Sequence, residues 1–139
     1  MVYVLDTNIV IHYLRGEPNV YQNLRNAITA GHELAIPRVV DYEIRRGFLI
    51  QPAPKKESMY NILIEPTGCC TLSDMGEYFW RWSAKIYADL YLKRFTVGEI
   101  DIIIAAFCLE NDYVLVTNNT SDFKNISNLK IVDWTQQIP

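Results

Sequence analysis

The chain has 139 residues, enough for one compact domain, with half of them apolar or aromatic and 21% charged, which excludes disordered and collagen-like segments. Thirteen Lys and Arg against 16 Asp and Glu give a net charge of −3, so the chain is not one that grips nucleic acid by charge alone, and any such role must be local. The longest apolar run, Ile102 to Leu109, is eight residues against the roughly 20 that span a bilayer. No basic leader precedes the first apolar stretch, so neither membrane spanning nor secretion is expected. Cys69, Cys70 and Cys108 lack the spacing of a zinc site or a disulfide framework, and this fits a reducing cytoplasm. His12 and His32 have no partner at metal-ligand spacing and read as structural or surface residues.

Residues 2–5 form a short β-branched apolar run that stops at Asp6-Thr7-Asn8, a helix-capping sequence, and residues 9–14 read as the helix that follows. A second helix over 19–30 ends at Gly31, and residues 34–36 before Pro37 predict a second strand with a polar turn after it. Val39, Val40, Ile44, Phe48 and Leu49 recur at helical spacing over 38–51, and Pro52-Ala53-Pro54 separates that helix from another over 55–64. After Gly68 comes a weak strand over 69–72, then a long helix opening at Ser73 and running to about 95. Gly98 breaks the chain before an Ile- and Ala-rich helix over 99–110, which leads to strands over 113–117 and 129–132. This alternation predicts an α/β domain spanning residues 1–139, with a central parallel sheet of four to five strands and helices on both faces. Ligands of such sheets gather at the carboxyl ends of the strands, where Asp6 and the polar run after Thr117 fall.

Three acids stand where this architecture can bring them together: Asp6 after the first strand, Glu43 early in the helix after the second, and Asp101 opening the Ile-rich helix. Singly, each has a plain structural role available, as a cap, a solvated helix residue or a first-turn acid. Asp101, however, opens a helix that is apolar nearly all round. Clustered carboxylates raise one another's pKa, and a divalent cation resolves the conflict. Mg²⁺ takes hard oxygen ligands, keeps several waters, and can deprotonate a water while stabilising the leaving oxygen of a phosphodiester.

These residues resemble a PIN domain, and in particular the VapC-type toxins of bacterial toxin–antitoxin pairs. Val4-Leu5-Asp6-Thr7-Asn8 is similar to the family's opening strand and first catalytic aspartate, and Val40-Asp41-Tyr42-Glu43-Ile44 with Gly47 to the segment carrying its glutamate. Asp101-Ile102-Ile103-Ile104-Ala105-Ala106 resembles the third acidic motif. Val116-Thr117-Asn118-Asn119, followed by Asp122-Phe123, Ile126, Leu129 and Asp133-Trp134, resembles the C-terminal signature of the toxins that cut initiator tRNA.

The resemblance implies a Mg²⁺- or Mn²⁺-dependent endoribonuclease acting on structured RNA, a homodimer, and a small VapB-like antitoxin that obstructs the acidic site in a toxin–antitoxin hetero-oligomer. Asp6 and Asp101 would hold the metal, with Glu43 completing the site directly or through water. Many members carry an aspartate where Asn119 stands, so either the Asn119 amide serves there or Asp122 reaches in from one helical turn away. Thr7, Asn8 or Thr117 would hydrogen-bond a carboxylate or a metal-held water and fix its geometry.

Asp41 and Glu99, each two residues from a candidate acid, point away from it on a helix. The basic pairs Arg45-Arg46, Lys55-Lys56 and Lys93-Arg94 are candidates for RNA phosphate contacts beside the acids. The ring-rich stretch Tyr78, Phe79, Trp80, Trp82, Tyr87, Tyr91 and Phe95 exceeds what one helix face buries, and reads as core or dimer contact before antitoxin or base contact. A haloacid-dehalogenase-like phosphatase would need an aspartate where Asn8 stands, and a receiver domain would need an early acid pair and a late lysine that are not here. The remaining alternative is a PIN-like module that binds RNA or protein without cutting, its metal site weakened by Asn119.

Overall fold

Five strands, β1 (Val2–Leu5), β2 (Glu33–Pro37), β3 (Cys70–Ser73), β4 (Val114–Val116) and β5 (Lys130–Val132), pair in parallel in the spatial order β3-β2-β1-β4-β5. The structure, a computed structural model, describes residues 1–137. Neighbouring residues Val4 and Leu5, Leu34 to Ile36, and Leu115 and Val116 are all buried. Successive strand side chains point to opposite faces, so both faces of the sheet are covered.

Among the described residues, seven helices supply the cover: α1 (Thr7–Leu14), α2 (Pro18–Thr29), α3 (Arg38–Ile50), α4 (Pro54–Ile64), α5 (Phe79–Leu92), α6 (Glu99–Asn111) and α7 (Thr120–Phe123). Local chemistry sets their starts. Asp6 caps α1 by accepting the Thr7 N–H, and Pro18 and Pro54 occupy first-turn positions where no N–H is needed. Helix α6 buries Ile102, Ile104, Ala105, Ala106, Phe107 and Cys108. Each large apolar side chain so buried contributes about 1.5–3 kcal/mol, which fixes the helix that carries Asp101. None of the described helices is long and apolar enough to cross a membrane.

The strand order places the site. The chain lays down β1, β2 and β3 in one direction, then returns to add β4 and β5 on the other side of β1. The order thus reverses between β1 and β4, where open parallel sheets form a ligand crevice beyond the strand ends. Asp6 N–H donates to the Val116 carbonyl at 3.0 Å and Thr117 N–H to the Val132 carbonyl at 3.0 Å, extending both ladders to the lip of that crevice.

Two sequence expectations are corrected, and one element is added. No polar turn follows β2, because Pro37 ends the strand and itself serves as the N-cap of α3. The long helix does not open at Ser73: residues 74–78 cross as a loop, Asp74 pairing with Arg38 and the Tyr78 N–H donating to Glu110, and α5 covers only Phe79–Leu92. The short α7 was not anticipated, since four residues are too few to show a periodic pattern.

Candidate functional site

Asp6, at the end of β1, is only 3% exposed, and every donor around it comes from the turn it opens or from the neighbouring strand end. Its Oδ1 accepts the Thr7 N–H at 2.8 Å; its Oδ2 accepts the Thr117 hydroxyl at 2.7 Å and the Asn8 amide at 3.0 Å. Burial raises its pKa and the Glu43 charge adds to the rise, while the donors from Thr117, Thr7 and Asn8 pull it back. The aspartate is thus gripped on both oxygens, with a lone pair of Oδ1 to spare.

Glu43 reaches the same place from α3. The Thr7 hydroxyl donates to its Oε1 at 2.7 Å, so one residue holds both carboxylates, by its backbone to Asp6 and by its side chain to Glu43. On the outer side Arg46 pairs with Glu43 Oε2 at 3.3 Å. Asp101, in the first turn of α6, completes the group. Its pKa is pushed up to about 6, first by burial and then by the negative charges of Asp6, Asp122 and Glu43. Carboxylates from β1, α3, α6 and α7 therefore face one crevice.

Of the predicted supporting residues, Thr7, Asn8 and Thr117 all bind within this network. Asn8 also approaches the Thr117 hydroxyl at 3.4 Å and accepts the Asn118 N–H at 3.2 Å. Asn119 donates its N–H to the Thr117 hydroxyl at 3.0 Å and its amide to Asp122 Oδ2 at 2.5 Å. Asn119 and Asp122 are thus a bonded pair at the rim, with Asp122 supplying the charge that Asp101 feels. Asp41 turns away, accepting the Tyr60 hydroxyl at 2.7 Å and pairing with Arg45 at 3.2 Å. His12, read from sequence as structural, has its Nε2 at 3.1 Å from the Asn118 amide. Its position four residues after Asn8, on the same helix face, was the available signal.

Among the described residues no three metal-ligating side chains stand close enough to form a ready-made cage. Mg²⁺ does not require one, since it is commonly held by one or two carboxylates together with waters and substrate oxygens. A half-buried aspartate pushed up to about 6 by burial first and then by the charges of three neighbouring acids lies in a negative field, and a hard divalent cation fits it.

An all-parallel sheet in this order, with acids gathered at the β1–β4 switch point, is an open α/β domain with an acidic crevice. The PIN domain family model matches residues 3–129. The chain belongs to the PIN domain family, and its curated relatives there are VapC ribonucleases. It is 32% identical over 136 residues to "Ribonuclease VapC" of Rickettsia bellii, covering 93% of each chain. It is 27% identical over 136 residues to the "tRNA(fMet)-specific endonuclease VapC" of Shigella flexneri, covering 96% of this chain and 98% of the relative. The crystal structure of VapBC2 from Rickettsia felis bound to a DNA fragment from their promoter superimposes with a TM-score of 0.87 and 26% identity, covering 96% of this chain and 99% of that one.

Proposed function

We propose that this protein is the toxin of a toxin–antitoxin pair, an endoribonuclease that uses Mg²⁺ or Mn²⁺ to hydrolyse a phosphodiester bond in structured RNA. The observation that carries the reading is the convergence of Asp6, Glu43 and Asp122 on Asp101, which its burial and then their charges lift to about 6. Such a cluster weakens a fold and strengthens a site for a hard cation. When bound, the ion supplies activation of the attacking water and charge neutralisation at the leaving oxygen. Asp6 and Asp101 hold it, and Glu43 contributes directly or through water. Thr7, Asn8 and Thr117 fix the two inner carboxylates through the hydrogen bonds described above, and Asn119 with Asp122 lines the rim toward substrate.

Initiator tRNA is the first substrate to try, on the likeness of the C-terminal signature and the name of the Shigella relative. A VapB-like antitoxin is the expected partner, supported by the VapBC complex among the related structures. The exposed side chains of α5 and the turn before it, with Trp80 64%, Tyr91 69% and Leu92 79% exposed, suit a homodimer or antitoxin contact. A cytoplasmic location accompanies this reading, since the proposed RNA substrate is met there.

The test is incubation of purified, antitoxin-free protein with a total tRNA pool and Mg²⁺ or Mn²⁺, beside EDTA and an Asp101→Asn variant prepared identically. Discrete fragments lost in both controls are expected. Intact RNA under both metals would overturn the reading in favour of a binding module that does not cut.

A further inference from the structure

Beside the acidic crevice, α1, α3 and α4 enclose a second concavity of about 320 Å³, and Glu43 forms part of its wall. Its floor is apolar, made by Ile11, Ile44 and Phe48, and Arg15, Gln51 and Lys56 stand around it. Two features separate it from an ordinary surface dent. The first is charge. Arg46 is paired with Glu43, yet no ion pair among the described residues engages Arg15 or Lys56, although a carboxylate lies in the same wall. The second is continuity, because Glu43 has one oxygen bonded to Thr7 of the acidic cluster while its side chain borders this cleft.

We infer that this cleft is a nucleotide subsite for the RNA substrate: a base flanking the cut bond lies on the Phe48 and Ile11 floor while Arg15 and Lys56 hold adjoining phosphates. This rests on the ribonuclease reading above and extends it to how the strand is held. The volume suits one base rather than a helix of RNA, and cations without protein counter-charges are what a phosphate chain needs in a protein of net charge −3. The ring and the aliphatic floor are indifferent to base identity, whereas the Gln51 amide can bond a base edge. The subsite therefore adds grip on the strand and little choice of sequence. An RNA strand anchored here has its next phosphate directed toward Glu43 and the acids behind it.

The experiment measures binding with cutting disabled. A fluorescein-labelled pool of random 12-residue oligoribonucleotides is titrated with wild-type protein in EDTA and followed by anisotropy, alongside Arg15→Ala, Lys56→Ala, Phe48→Leu and a control at the opposite end of the sheet, Lys130→Ala, whose amine pairs with Asp112 at the start of β5. Each cation removed is expected to weaken binding several-fold and to lower the log–log salt slope by about 1. Phe48→Leu should weaken it by roughly fivefold or more, the lower end for a lost base stack, with Lys130→Ala unchanged. Thermal melting of each variant separates lost contact from lost fold. RNA affinity and salt slope that match wild type in all three cleft variants overturn the subsite alone, and if the same variants lose the antitoxin the cleft belongs to that protein instead. Absence of any RNA binding by the wild type, together with intact tRNA in the cleavage test, overturns both readings.

Discussion

The Thr117 hydroxyl donates to Asp6 Oδ2 at 2.7 Å across 111 residues of sequence. That bond joins the ends of β4 and β1 at the point where the strand order reverses, and it acts on a carboxylate whose pKa burial already raises. Thr117 is fully buried, so Thr117→Val keeps the shape and deletes the donor. The Asp6 charge then loses a partner that favours it, and its pKa rises further. The acid limb of the cleavage profile should move to higher pH, with stability lowered by about 1–2 kcal/mol. An unmoved acid limb with normal activity would show that Asp6 ionisation does not limit the reaction.

Removing the Asp101 charge is expected to have the opposite effect on stability from removing the Thr117 donor. The Asp101 folded pKa of about 6 lies above the ordinary aspartate value of 3.8, so folding favours the protonated form. Its contribution is fully present below the unfolded value and is lost as pH rises through about 6. In EDTA the protein should therefore lose stability between pH 4 and pH 6 from this group, and Asp101→Asn should stabilise it at pH 7.5. Solvent screening of a half-buried group holds the gain to about 1 kcal/mol, or several degrees of melting temperature. Mg²⁺ should raise the wild-type melting temperature and leave the variant unchanged. A variant that melts below wild type in EDTA would contradict the repulsion.

Much of this site was legible in the sequence because local signals place each acid. Asp6 follows a β-branched run and opens a helix, Glu43 lies one turn into the helix after Pro37, and Asp101 sits just after Gly98 at the start of an all-round apolar helix. What stayed hidden depends on contacts far apart in the chain. The loop before α5 is shaped by Glu110, 32 residues beyond the Tyr78 N–H it accepts. His12 gains a neighbour in the functional network only when β4 brings Asn118 against α1, 106 residues away. The clasp of Glu43 by Thr7 spans 36 residues and leaves no periodic trace.

Thr7 and Arg46 both bind Glu43, and burial decides which matters. The Thr7 bond is 2.7 Å and part-buried, whereas Arg46 reaches the outer oxygen at 3.3 Å with 46% of its side chain exposed. Exposed pairs of that kind contribute about 0–1 kcal/mol. Thr7→Val should lower kcat by about tenfold, the scale of a lost bond that orients a ligand, while Arg46→Ala leaves kcat within about twofold. Single-turnover cleavage at saturating metal compares them, and an equal loss in both would assign the orientation of Glu43 to the ion pair.

Two glycines test the turns after α4 and before α5, and the atoms they would strike differ in kind. A Cβ at Gly76 would meet the carboxylate of Glu110, the flexible end of a side chain. That carboxylate can swing aside, but only by releasing the Tyr78 N–H, and its other oxygen is already buried without a partner. A Cβ at Gly68 would strike the carbonyls of Ile62 and Leu63, the end of α4 itself. Backbone cannot step away without unwinding the last turn, whose Leu63 packs in the core. Gly76→Ala should therefore cost about 1–2 kcal/mol and Gly68→Ala about 3 kcal/mol or more. Chemical denaturation of both variants reads the difference directly, and the reverse order would mean that the loop over Glu110, and not the end of α4, is the stiffer of the two.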